Sequence, residues 1–285
     1  MSRSVRILLV PAVALASGCA AVTADPAAER PGAASPTWQR YTVSATVLES
    51  PDHGPQLCAT ELLSYPPQCG GPDVVGWDWA EVDGEESANG TTWGSYRVVG
   101  TWDGDALTLT EPPGRPRSGE GEGSSMPDFS TPCPTPEGGW RIDDPATATG
   151  VGQQAAMDYA NRQPDLGNVW LDDQAKLADR LPGMPQQAVL NVSFTGDLER
   201  HEAELRSRYG GPLCVVGAEY SQAELYALQK RVNEALRGTM LTSGSGIRGR
   251  VHVLVPFVDE QVRDRVAAVD PEGLVDLESW LQPVG

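Results

Sequence analysis

Residues 111–139 read EPPGRPRSGEGEGSSMPDFSTPCPTPEGG, and no other stretch constrains the fold more. Pro, Gly, Ser and Glu dominate it, a composition that buries too little apolar surface to order itself. It reads as a linker, assigned to 113–139, between two different textures of sequence. Upstream, residues 38–112 alternate apolar and polar side chains. YTVSATVLE and VVGWDWAEV each alternate, and SYRVVGTWDGDALTLTE holds two runs joined at Asp103-Gly104. Asp-Gly between alternating runs signals a hairpin, because both turn positions favour positive φ. Gly90 and Gly94 mark further turns. Four or five short strands without a helical period predict a small antiparallel, β-barrel-like module of OB type.

Downstream, residues 140–285 change period. GVGQQAAMDYANRQ reads as a helix, and GNVWLDD and AVLNVSFTG as strands. DLERHEAELRSRYGG follows, with Asp197 as cap, an acidic first turn, arginine near the end and Gly210-Gly211 as the stop. PLCVVGAEY is the next strand. Ser221 then caps QAELYALQKRVNEALRG, in which Leu225, Leu228, Val232 and Leu236 share one helical face. RVHVLVPF, VDEQVRDRVAAV and GLVDLESWL complete a strand, a helix and a strand. Two pieces share their offsets: Asp197 lies eight positions after Val189, Asp259 lies eight after Val251, and the following Gly210 and Gly273 lie thirteen and fourteen further on. Each is strand, acidic cap, helix, Gly, strand. Two such βαβ pseudo-repeats predict an α+β sandwich of ferredoxin-like kind, so the fold class expected for the whole chain is α+β.

The start of the chain, MSRSVRILLVPAVALASG, has Arg3 and Arg6 ahead of an apolar run from Ile7 to Ala16. Ten apolar residues are too few for a membrane span, which takes about 20 in a helix, so 1–18 reads as a signal peptide. Ala16, Ser17, Gly18 and Cys19 resemble the bacterial lipobox, in which a cysteine receives diacylglycerol and becomes the new N-terminus. Ala16 stands where that motif prefers Leu, and Leu15 lies one residue earlier. The resemblance implies lipidation (diacylglyceryl and palmitate-type acyl chains) at Cys19. Residues 19–37 then form a tether rich in Ala and Pro. Each buried methylene contributes roughly 0.8 kcal/mol, and stable anchoring takes more than one chain, which a diacylglyceryl group supplies.

Cysteine parity agrees with that leader. Five cysteines leave four once Cys19 is lipidated: Cys58, Cys69, Cys133 and Cys214. Of three possible pairings, the local one joins Cys58 to Cys69 across ATELLSYPPQ, whose Pro-Pro bend brings the ends together, and leaves Cys133 with Cys214. The chain-entropy model gives a little under about 3 kcal/mol for the short loop and roughly 4 to 5 for the long one. Paired cysteines belong outside the cytoplasm, and the spacings lack zinc knuckles. Removing the two leader arginines from a net charge of −18 leaves −20 on the mature chain. Such a surface repels phosphate backbones, so no nucleic-acid partner is expected. Two Lys against nineteen Arg, with abundant Ala and Gly, suit a GC-rich, actinobacterial genome.

The order NVWLDD, AVLNVSFTG, helix, PLCVV and YSQAELYALQKRVNEAL resembles the pro-regions of α-lytic/streptogrisin-type serine proteases over about residues 165–260. That resemblance implies an inhibitor or folding chaperone of a secreted protease, although no protease domain follows and only LESWLQPVG stands where such a tail would be. More broadly the chain looks like an actinobacterial lipoprotein.

Chemistry is sparse. His53, His201 and His252 sit in no GxSxG, HExxH, Walker or GxGxxG context, so no catalytic, cofactor-binding or metal residue is assigned. Asp78, Asp103 and Asp105 lie among tryptophans, as paired acids do in a glycosidase, but Asp103 also serves the turn. Calcium at Asp103-Gly-Asp lacks further oxygen ligands. Half of the eight tryptophans, Trp77, Trp79, Trp93 and Trp102, fall within 26 residues. Trp77 and Trp79, two apart on an expected strand, share a face that either fills the core or stacks on sugar or peptide. The expectation is a lipid-anchored protein on the outer face of the bacterial cytoplasmic membrane, non-enzymatic, presenting a binding surface to an envelope glycan or protein. A cell-wall hydrolase is the rival class. Cys19→Ala is expected to release the protein from cell membranes into the medium, read by fractionation and immunoblot; continued membrane retention would place the anchor elsewhere.

Overall fold

The computed structural model describes residues 39–62, 64–119, 128–181, 187–246 and 248–284. The expected signal peptide, the tether and Cys19 lie outside the described residues, as does 120–127 of the expected linker. The fold is α+β. No described helix is long and apolar enough to cross a membrane.

In the first half, β1 (Arg40–Ser50) turns at Pro51-Asp52 into β2 (His53–Cys58), and β3 (Asp73–Val75) follows the Cys58–Cys69 loop. β4 (Glu86–Ala88), β5 (Thr91–Trp102) and β6 (Ala106–Leu109) complete this part. β5 runs antiparallel to β1 over ten positions, from Arg40↔Thr101 to Glu49↔Thr92. The other edge of β1 takes β2, β2 takes β3, β3 pairs in parallel with β6, and β6 returns to β5. The pairings therefore form a ring with Val43, Val47, Leu57, Val74, Val98 and Leu107 inside it.

Local chemistry departs from the sequence expectation at three places. The run VVGWDWAEV is extended only to Val75, because Gly76 takes φ +86° and Asp78 accepts the Ala80 amide to cap a 3-10 turn at Trp79–Glu81. The two-residue turn with both φ values positive is Asn89-Gly90, at 52° and 81°, between β4 and β5. At Asp103-Gly104 only the glycine is left-handed, and the Asp103 carboxylate accepts the amides of Asp105 (3.0 Å) and Ala106 (2.9 Å). Gly94 marks no turn. It lies within β5, where the Tyr96 ring occupies the space a Cβ would need.

The second half repeats one unit. α1 (Gly150–Ala160), β7 (Leu166–Asp172), β8 (Val189–Phe194), α2 (Leu198–Arg206) and β9 (Leu213–Gly217) form the first copy. α3 (Gln222–Ala235), β10 (Thr242–Ser245), β11 (Val251–Val255), α4 (Glu260–Ala267) and β12 (Val275–Ser279) form the second. In each copy the first two strands are antiparallel and the βαβ pair is parallel. The single sheet expected for a ferredoxin-like sandwich is replaced by two separate three-stranded sheets. The reason is that β7 and β10 occupy the outer edges of β8 and β11, so each copy closes its own sheet. β10, TSGS, shows no apolar alternation and is held by its ladder and by bonds from α3: Gln229 donates to the Ser243 hydroxyl (3.0 Å), which donates to Asn233 (2.8 Å).

Helix ends follow side-chain chemistry. Ser221 and Glu224 form a reciprocal capping box on α3, and Leu225, Leu228, Val232 and Leu236 pack inward. Asp259 caps α4 by accepting the Val262 amide at 2.7 Å. Asp197 does not cap α2: it is left-handed (φ 49°), and its carboxylate goes instead to Arg200 Nε at 2.5 Å. α2 also ends at Arg206, ahead of Gly210-Gly211. These glycines serve close approach, since Gly210 C=O accepts the amides of Asp143 and Asp144 at 2.7 and 3.1 Å and a Cβ there would meet the Asp144 backbone.

The chain closes by returning to the first half. Trp280 and Leu281 are buried in the β1–β6 core, Phe257 packs on Tyr41 at 4.8 Å, and β13 (Gln282–Pro283) pairs with Tyr41 and Thr42. Trp38–Gly285 accordingly forms one compact unit. Trp280→Ala is expected to cost about 3–5 kcal/mol and Ser221→Ala about 1 kcal/mol. Urea unfolding of both variants checks the ranking.

Candidate binding face on the first half

Alternation along β1 and β5 turns Ser44, Thr46 and Leu48 away from the ring interior, opposite Arg97, Ser95 and Trp93 respectively. Thr46 and Ser95 hydroxyls lie 3.4 Å apart. Over this outer face passes the loop closed by Cys58–Cys69, whose Cα atoms are 5.5 Å apart. Within the loop the Leu62 amide donates to Gln68 C=O at 2.9 Å, and the Ser64 hydroxyl donates to Pro66 C=O at 2.9 Å. The loop is thus tied at its base and across its middle, and it presents Leu62 and Tyr65 at 65% and 74% exposure. The Tyr65 ring stands edge-on to Trp93, with centroids 5.7 Å apart and planes at 90°.

The other wall comes from the beginning of the expected linker. Gly114 and Arg97 exchange backbone hydrogen bonds (2.8 and 2.9 Å), and the Arg117 amide donates to the Ser44 hydroxyl at 2.9 Å. A groove of about 370 Å³ results. Ser44, Thr46, Ser95 and Ser118 supply hydroxyls, Glu61 and Arg117 supply charge, and Trp280 lies at its base. Such a surface combines stacking area with groups that both donate and accept hydrogen bonds.

The four clustered tryptophans do not form one platform. Trp77, Trp79 and Trp102 pack against the core, whereas Trp93 alone stands on the outer face. Trp77 and Trp79 meet edge-on at 5.2 Å with Tyr96 beside them, and the Trp79 indole donates to Glu49 at 2.6 Å. They touch because a turn folds them together, not because a strand aligns them. Composition does not mark Tyr65; its sequence signal is its position inside the ten-residue loop between Cys58 and Cys69. Asp78 and Asp103 are engaged with backbone amides, and those from Ala106 and Asp105 hold the Asp103 carboxyl below its usual range. Asp105 is exposed.

The histidines are scattered. His53 Nδ1 meets Gly54 C=O at 2.7 Å, and His252 lies on the exposed face of β11, 3.4 Å from Asp276. His201 is fully buried. Its ring stacks on Phe194 at 3.7 Å, Nδ1 meets the Tyr159 hydroxyl at 2.9 Å and Nε2 meets Asp165 at 2.9 Å. His201 and Leu205 share the inward face of α2 at i, i+4 spacing, so this network stands inside a core cluster. Among the described residues, no group of three His, Cys, Asp or Glu is placed to hold a metal ion. The second disulfide, Cys133–Cys214 (Cα atoms 5.9 Å apart), clips residues 128–140 onto the first repeat. No family model matches this chain, and no curated protein matches it in sequence.

Burial pushes the Asp165 carboxyl up, but the His201 hydrogen bond and the charges of His201 and Arg200 outweigh it, leaving the carboxyl below its ordinary value. A carboxyl lowered on folding stabilises the fold above its unfolded value near 3.9, and that contribution is lost as pH falls through the folded value. Asp165→Asn is therefore expected to be less stable than wild type at neutral pH and to lose less stability between about pH 5 and pH 2, measured as urea midpoints across that range.

Proposed function

We propose that this chain is an exported, lipid-anchored envelope protein whose first half is a non-catalytic glycan-binding module of OB-like kind. The observation that carries the reading is the disulfide-closed Cys58–Cys69 loop holding Tyr65 edge-on to Trp93, which shares the outward face of β5 with Ser95 of the hydroxyl-lined groove. Sugar rings stack their C–H faces on aromatic side chains and exchange hydrogen bonds through their rims, so an exposed aromatic pair on a face that also carries Ser, Thr, Glu and Arg suits them. The ring of pairings β1-β2-β3-β6-β5, with β3 parallel to β6, supports the OB-like description, a fold class that includes oligosaccharide binders. Two disulfides fit an oxidising compartment. Anchoring through Cys19 rests on the lipobox resemblance alone.

A hydrolase reading draws on one observation, His252 and Glu278 lining a cleft of about 380 Å³ with Asp276 alongside. It ranks second because the Asp276 carboxylate is already bonded to Arg250 at 2.7 Å.

The test is co-sedimentation of the full-length chain with insoluble peptidoglycan, with soluble cell-wall oligosaccharide as competitor. Retention of the wild type is expected, weakened about tenfold, or 1.4 kcal/mol, by Tyr65→Ala and by Trp93→Ala. Equal retention of the folded variants would remove this face from the reading, and release of sugar fragments during the assay would favour the hydrolase.

A further inference from the structure

A second cleft, of about 320 Å³, opens in the other half of the molecule. It forms where the carboxyl ends of β8 and β9, at Ser193 and Val216–Ala218, face the turn carrying Arg248, Gly249 and Arg250. Crevices at the carboxyl ends of parallel strands are where open α/β sheets place their ligands. Trp170 walls this one. The ring is fixed because its indole N–H donates to Phe129 C=O at 3.1 Å, and Val216 and Leu274 extend the apolar surface.

The charges are what select a ligand. In a chain of net charge −18, this cleft is lined by two guanidiniums, Arg248 and Arg250, and two carboxylates, Asp128 and Glu219. Arg248 is bonded to Asp128, but their side chains are 63% and 57% exposed, so a ligand carboxylate can replace that contact at little cost. Arg250 is held firmly from behind by Asp276 and Gly273 C=O (2.7 and 3.0 Å), which fixes its position at the rim. A purely anionic ligand meets Asp128 and Glu219, and a purely cationic one meets the arginines. A ligand with both signs and an apolar body satisfies all of them.

We propose that this cleft binds a zwitterionic amino acid or dipeptide, its carboxylate on Arg248, its ammonium on the facing carboxylates and its apolar side chain against Trp170. The site is separate from the glycan face and does not rest on it. The volume is at the lower end of small-ligand pockets, a size that an amino acid or dipeptide fills.

The experiment is calorimetric titration of the full-length chain with Ala-Leu, N-acetyl-Ala-Leu and Ala-Leu amide as probes. Saturable binding of Ala-Leu is expected, with at least tenfold weaker binding when either charge is removed. Arg248→Ala, at an exposed side chain whose loss leaves the core intact, is expected to weaken Ala-Leu at least tenfold while leaving the amide unchanged, since the amide has no carboxylate to lose. Tyr65→Ala should bind Ala-Leu as wild type does, which keeps this result independent of the glycan assay. Absence of saturable Ala-Leu binding, equal affinity for the blocked peptides, or an unaltered Arg248→Ala variant with a wild-type melting temperature would each overturn the assignment.

Discussion

The burial of Trp280 and Leu281 inside the ring of β1, β2, β3, β5 and β6 is the interaction on which the rest of the molecule depends. The ring's own strands supply Val43, Val47, Leu57, Val74, Val98 and Leu107 to its interior, but its β2–β3 join is a single residue pair. The segment after β12 supplies a tryptophan and a leucine, then adds β13 along the free stretch of β1. That arrangement brings the second repeat against the first half, with Leu254 and Phe257 packing on the same core. It also places Trp280 among the residues lining the groove of Ser44, Thr46 and Arg117, so that groove and the junction share one support.

The two repeats show what covering a sheet does to its sequence. β8 is buried at all six positions because helices pack on one face and the segment clipped by Cys133–Cys214 covers the other. β11 alternates, with Val251, Val253 and Val255 inward and His252 exposed, and its other face is covered only at Leu254, by the first-half core. VLNVSF and VHVLV are thus two answers to one topology. Buried Asn191 and Ser193 in β8 mark where polar groups accompany the covering segment, near Asp172, which accepts the Thr131 amide at 2.7 Å.

What could be read from sequence was what is encoded locally. Ser221 and Glu224 announce the α3 cap because the motif and its hydrogen bonds lie within one turn, and the Leu225–Leu236 spacing follows from helical period. The strand pair around βαβ was legible through matching offsets, but β10 was not, since TSGS gains its extended form from β11 and α3 rather than from its own side chains. Asn89-Gly90 carries the same hairpin signal as Asp103-Gly104, and its two left-handed residues make the tighter turn. The period-two pattern that puts Trp77 and Trp79 on one strand face breaks at Gly76, which is left-handed. Tyr65 against Trp93, and the inter-repeat cleft, depend on contacts distant in sequence. No local pattern carries them.

The position of β13 bears on how such a chain is made. A polypeptide emerges from its N-terminus, and early modules ordinarily fold while later ones are still being synthesised. Here the first-half core lacks its tryptophan and leucine until residue 281 has been polymerised. Completion of that core is thereby deferred until the second repeat has been synthesised, so the two halves set together rather than in turn.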